Sequence, residues 1–356
     1  MTSTEFLYKY LNNASPTGFE SSGQKIWLDY IKPYIDEYSV DTYGSVVGVI
    51  NPNQAYKVVI EAHADEISWF VNYITDDGYI YVIRNGGSDH IIAPSMRVNL
   101  HTKNGMVKGV FGWPAIHVRV GEKEEVRPEV KNIFIDVGAS TKDEVEALGV
   151  HVGTVVTFAD ELMEMNNHYY VGRALDNRMG GYMIAEVVRR VKENNIRLDY
   201  TLCVANSVQE EIGLRGAEMV AQRLKPDVAI CTDVCHDTFS PLGYQKPKDG
   251  AIKAGSGAVL SYAPAVQNNV RDMLIEVAQA NNIAFQRQAS SRSTGTDTDS
   301  FAYSNGGVAS ALISLPLKYM HTTVETVHKA DVESVIRLMY EFLLQLKTGH
   351  DFRYFS

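Results

Sequence analysis

Asp199–Ala217 reads "DYTLCVANSVQEEIGLRGA", an apolar run that ends in two adjacent glutamates, Glu210 and Glu211. Tyr200–Ala205 has the character of a buried strand, and "GLRGAEMVAQRL", Gly213–Leu224, carries the spacing of a helix. Charged residues are mostly exposed, so a solvated turn is the plain explanation of a Glu-Glu pair. In open α/β sheets, however, ligands gather at the carboxyl ends of the strands. Which explanation holds depends on the flanking chain.

Outward from this stretch, helix and strand alternate. "NRMGGYMIAEVVRRVKE" (Asn177–Glu193) precedes it as a helix, and "DVAICTDV" (Asp227–Val234) follows as a strand. Next come the helix "PAVQNNVRDMLIEVAQANN", the strand "GVASALISL" and the last helix, "DVESVIRLMYEFLLQLK". Near the start, "FESSGQKIWLDYIKPYI" has helical spacing and "YKVVIEAHA" (Tyr56–Ala64) is a strand running into charge. Such alternation implies an α/β fold with a mostly parallel sheet covered by helices on both faces.

The pattern changes between about Ser68 and Met165. Short alternating runs are joined by "TDDGY" and "TKNGM", where Asp-Gly and Asn-Gly between apolar stretches signal hairpins. One short helix is expected near "STKDEVEALG". The expected organisation is therefore an α/β domain made of residues 1–67 and 166–356, interrupted by a compact β module at 68–165. There are no internal repeats and no long Pro/Gly/Ser linker.

Composition narrows the function classes. Of the 356 residues, 43 are acidic and 33 are Lys or Arg, giving a formal charge of −10. That balance argues against a nucleic-acid partner, which requires clustered cations. No apolar run approaches the roughly 20 residues needed to span a bilayer, so no membrane role is expected. The N-terminus lacks a basic segment followed by an apolar core, as a secretion signal has. Cys203, Cys231 and Cys235 are too few for a disulfide framework and read as buried thiols in a reducing cytoplasm. Cys231, Cys235 and His236 form a possible metal fragment with no second pair to complete a tetrahedral site.

The strand ends supply a short set of reactive groups. "VVIEAHADE" ends at His63 and Asp65, "TLCVANSVQEE" at Glu210 and Glu211, and "VAICTDV" at Asp233. "ALISLPLKYMHTT" leads to His321, and Asp176 opens a helix in "GRALDNRMGGY". Each has an ordinary alternative: Asp176 as a helix N-cap, Asp233 as a turn residue, either histidine as a hydrogen-bonded structural group. Together they crowd buried strand ends with carboxylates and few Lys or Arg, and unpaired buried charge is very costly. Metal cations are the obvious compensation. Two His, two Asp and two Glu suit a pair of divalent ions such as zinc, cobalt or manganese. Neighbours on an extended segment point in different directions. One glutamate of the pair can thus bind metal while the other acts as a general base. H-E-x-x-H, G-x-S-x-G, Walker A and G-x-G-x-x-G motifs are absent, and the Gly pairs at Gly86, Gly180 and Gly306 read as turn or close-packing glycines.

Ordered motifs along nearly the whole chain give a specific resemblance. They are "SPTGFE", "EAHADEIS", "IDVGAS", "ALDNRMGG", "QEEIGLRGA", "TDV", "GTDTDSFAYSNGG" and "YMHTTVETV". The chain resembles the co-catalytic metallo-aminopeptidases of the glutamyl-aminopeptidase type, the tetrahedral aminopeptidases, some of which carry the label endoglucanase M. The resemblance implies His63, Asp176 and Asp233 on one metal, and Asp176 as bridge to a second with Glu211 and His321. It implies Glu210 as general base and Asp65 as the group that orients His63. It further implies a peptidase domain with an inserted β-barrel-like domain, short peptide substrates and a dodecameric homo-oligomer. A deacylase on small N-acyl substrates would use the same centre, whereas a glycosidase needs two carboxylates and no metal. A catalytically dead scaffold is the remaining alternative. Asn177, the surroundings of His117, and Cys235 with His236 depart from the family's pattern.

Overall fold

The computed structural model describes residues 1–119 and 126–355; the stretch 120–125 inside the expected β module and Ser356 lie outside it. An 11-stranded mixed sheet forms the body of the molecule. Its centre is four parallel strands in the order Thr201–Ser207, Lys57–His63, Val228–His236 and Ala309–Lys318. This is the parallel sheet expected from the alternation of helix and strand. The flanks are antiparallel: Val46–Ile50 pairs with Thr201–Ser207 on one side, and Glu325–His328 with Ala309–Lys318 on the other. Hydrophobic periodicity does not distinguish the two pairings in strands buried on both faces.

Residues alternate between two apolar layers. Val58 and Ile60 face one cluster with the long helix Leu175–Glu193, while Val59 faces another with Val220, Ala221 and Phe301. The long helix presents Met179, Met183, Ile184, Val187, Val188 and Val191 to the sheet, a stripe at helical spacing. Two close approaches require glycine on that helix. A Cβ at Gly181 would stand 2.6 Å from the Tyr10 hydroxyl, and one at Gly180 would meet the Asn177 side chain at 2.2 Å.

Between Ser68 and Phe158, six strands close into an antiparallel barrel. Its interior is filled by Trp69, Val71, Ile80, Val82, Leu100, Phe111, Ile135 and Val156, with the Trp69 and Phe111 rings edge to face at 5.7 Å. The short strand Met163–Met165 pairs with Tyr169–Gly172 in the main sheet. The expected helix in "STKDEVEALG" forms at Lys142–Ala147, capped by Thr141 Oγ1. Among the described residues, no helix is long and apolar enough to cross a membrane. All three cysteines are buried and free.

Candidate metal centre

Strand register brings the site residues together. Cys231 pairs with Glu61 in the parallel ladder, so two residues further on Asp233 comes level with His63, on the same face. Ser207 pairs with His63 on the other side, and the chain leaving that strand carries Glu210 and Glu211. Asp176 arrives from the start of the long helix and His321 from the loop after Ala309–Lys318.

The resulting cluster is built around Asp176. Its Oδ1 lies 3.3 Å from His63 Nε2, and its Oδ2 lies 3.4 Å from His321 Nε2. Glu211 Oε2 is 3.6 Å from His321 Nε2. Glu210 Oε2 and Asp233 Oδ1 are 3.8 and 3.9 Å from His63 Nε2. The adjacent glutamates therefore face different histidines, which explains their pairing better than a solvated turn. Asp176 and Asn177 have non-helical φ/ψ ahead of the regular helix, and both Asp176 oxygens are turned to histidines, which the helix-cap reading does not explain.

These separations fit a bound cation. The 3.3 and 3.4 Å spacings exceed the usual hydrogen-bond range of about 2.7–3.2 Å. Two donors about 2.0–2.1 Å from a tetrahedral ion would stand roughly 3.3 Å apart. Among the described residues, His63–Asp176–Glu211 and His63–Glu210–Asp233 are the groups with metal-ligand spacing. Cys231, Cys235 and His236 belong to neither, and nor does His321, whose Nε2 adjoins the first group through Asp176 and Glu211.

Electrostatics give the same indication. Burial, with nearby carboxylates adding and His63 opposing, raises the Glu210 carboxyl to about 8. Burial likewise pushes Glu211 and Asp233 well up, reinforced by the Asp176 charge. Burial also acts on Asp176, but His321 and His63 outweigh it and hold this carboxyl below its usual range. Without a cation the cluster cannot keep all its carboxylates charged, and a divalent ion reverses that logic.

Several neighbours position the cluster. Asp65 is fully buried, with Oδ1 3.3 Å from His63 Nδ1. It accepts the backbone N–H of Glu210 (3.0 Å) and of Glu211 (3.2 Å), and the Thr17 hydroxyl (2.9 Å). Glu325, absent from the residues singled out in the sequence, accepts the N–H of Asp176 at 3.0 Å and of His321 at 2.7 Å. Its only sequence signal is its place four residues after His321 in "YMHTTVETV". Ala174, Gln209 and His321 adopt positive φ (59, 60 and 61°), an uncommon conformation for such residues that recurs at functional sites.

One side of the cluster opens into a cavity of about 660 Å³, walled by Leu214, Cys235, Ser261, Gln288, Thr294 and Met320 among others. His236 lines it and contacts Tyr244 through Nδ1 at 3.1 Å. His117 is exposed on a short helix and lies outside the cavity lining.

An acid- and histidine-lined cleft thus lies at the carboxyl edge of the parallel strands, with the barrel beside it. The chain belongs to the M42 glutamyl aminopeptidase family, whose profile matches residues 44–338. It is 32% identical to the lysyl aminopeptidase of Pyrococcus furiosus over 98% of both chains. Its structure superposes on a TET aminopeptidase from a marine-sediment Thaumarchaeota archaeon with a TM-score of 0.91 at 30% identity, covering 97% of each chain. The Pyrococcus horikoshii TET1 peptidase, which can assemble into a tetrahedron or a large octahedral shell, matches at 26% identity with a TM-score of 0.85. That match covers 97% of this chain and all of the other.

Proposed function

We propose that this aminopeptidase removes residues one at a time from the N-terminus of short peptides, using two divalent ions and Glu210 as general base. The observation that carries the reading is Asp176, whose two oxygens face two different histidines. His63 and Asp233 would complete one site with Asp176, and Glu211 and His321 the other; zinc suits this donor set, as do cobalt and manganese. Such ions, when bound, supply Lewis acidity to the scissile carbonyl and to the attacking water. Glu210 lines the cavity with Oε2 toward His63, so its carboxylate can take the proton of a water and return it to the departing amine. Asp65 holds the His63 ring and fixes the backbone that carries both glutamates.

A free N-terminal amine, neutral when it ligates, can take an open position on one of the ions, whereas an acylated nitrogen has lost the basicity to do so. The test is mass spectrometry of matched peptides, free and N-acetylated, after chelation and again after zinc is restored. Stepwise loss of N-terminal residues from the free peptide, abolished by chelation, is expected. Equal cleavage of the acetylated peptide would move the assignment to a deacylase or endopeptidase, and cleavage that survives chelation would remove the metal.

The barrel would serve assembly. Its outer surface exposes Tyr73, Ile83, Ile91, Met106 and Val110, and exposed apolar patches mark interaction sites. We take the protein to be a cytoplasmic homo-oligomer, a dodecamer by analogy with its Pyrococcus horikoshii relative, a structure of which holds a dodecamer in the asymmetric unit.

A further inference from the structure

The barrel also reaches the metal cluster. Its strand Ile80–Asn85 ends in the turn Gly86–Gly87, which lies against His321 and Glu211. A Cβ on Gly87 would stand 2.6 Å from both Nδ1 and Cε1 of the His321 ring. A Cβ on Gly86, where φ is +78°, would meet the Glu211 Cβ at 3.2 Å. The turn is pinned on both flanks. Asn85 Nδ2 donates to Thr17 O (2.9 Å) and Ser68 Oγ (2.8 Å), and Ser88 Oγ donates to Ser68 O (2.6 Å).

His321 needs such support. The His63 side chain is 2% exposed and held by the packing around it, with Asp65 beside its Nδ1, whereas that of His321 is 31% exposed. Its main chain is held by Glu325, but this leaves the ring free to turn. The bare Cα of Gly87 lies against the Nδ1–Cε1 edge of the ring, while Nε2 faces Asp176 and Glu211. A ring packed in this way keeps Nε2 directed at Asp176 and Glu211.

We propose that the Gly86–Gly87 turn of the barrel is a positioning element of the metal centre, setting the His321 ring so that the Asp176–Glu211–His321 half can bind its ion. The inserted barrel is then part of the site as well as an assembly surface. This rests on His321 being a ligand. Glycine is required because only a bare Cα lets the ring lie that close.

The test combines metal analysis with a double-mutant cycle. Full-length protein is stripped with chelator, reloaded with zinc and passed through a desalting column before bound zinc is counted. Wild type is expected to hold two ions per chain. Gly87→Ala should bind the weaker of the two at least about tenfold less tightly, the lower range for loss of a ligand-orienting partner. In metal-free protein, Gly87→Ala should lower the melting temperature, yet do so hardly at all in a His321→Ala background, where the ring is gone. Two ions bound at wild-type affinity, or the same melting loss in both backgrounds, would overturn the proposal. If Gly87→Ala fails to fold, the double variant should recover folding, and its failure too would be decisive against the clamp. A wild-type chain that binds no zinc defeats the ligand reading instead, while the metal-free cycle still reports on the turn.

Discussion

Oδ1 of Asp65 lies 3.3 Å from Nδ1 of His63, and the same buried carboxylate accepts the main-chain N–H groups of Glu210 and Glu211. One side chain thus stands beside the imidazole and holds the chain that carries both acids. Asp65→Asn keeps the shape but turns one acceptor into a donor. Zinc affinity should fall about 10- to 100-fold, the usual cost of losing a ligand's orienting partner. Competition against a zinc chelator measures this, and unchanged affinity would reduce Asp65 to a backbone staple.

Glu210 and Glu211 should separate on substitution. Glu210→Gln cannot accept a proton, so turnover should fall at least about 10²-fold, the lower range for loss of a general base, with two ions retained. Glu211→Gln should lose metal instead. Glu210 Oε2 stands as near His63 as Asp233 does, so a ligand role for Glu210 is the competing assignment. Metal counts on the two variants decide it.

Asp176→Ala removes the group shared by both histidines. Loss of a helix cap costs about 1 kcal/mol and spares activity. Loss of a bridge should abolish turnover and leave fewer than two bound ions. A stable, active variant with full metal content would return Asp176 to the cap reading.

Glu20, outside the proposed ligand set, gives a pH signature. Burial, with the Asp65 charge adding, raises its carboxyl from 4.5 to about 7. A folded-state pKa above the unfolded one means stabilisation that is complete below pH 4.5 and lost as pH rises through about 7. The loss is at most about 3 kcal/mol. Glu20→Gln should therefore melt higher than wild type at pH 8.5 and nearly with it at pH 4.5. An equal difference at both pH values would show that the charge is not the cause.

Ile83 and Met106 test the barrel surface. Both are exposed, at 43% and 52%. Ile83→Glu with Met106→Glu should yield a smaller particle by light scattering with an unchanged circular dichroism spectrum. A particle of wild-type size would place the assembly contacts elsewhere.

The sequence by itself determined which residues could meet. His63, Asp233 and Glu210–Glu211 were legible because apolar runs end at them, and in a parallel sheet strands that start together end together on one edge. The barrel was legible from Asp-Gly and Asn-Gly turns between alternating runs, since those turns demand backbone that few other residues adopt. Tertiary structure alone decided the rest. The antiparallel flanks of the sheet depend on strand order, which a pattern buried on both faces does not encode. The sequence marks Gly87 as a turn or close-packing glycine but does not name what it packs on, the His321 ring 2.6 Å from its missing Cβ and more than two hundred residues away in the chain. Glu325 holds Asp176 and His321 through their backbone N–H groups, a contact that every residue type except proline offers and that no side-chain pattern marks.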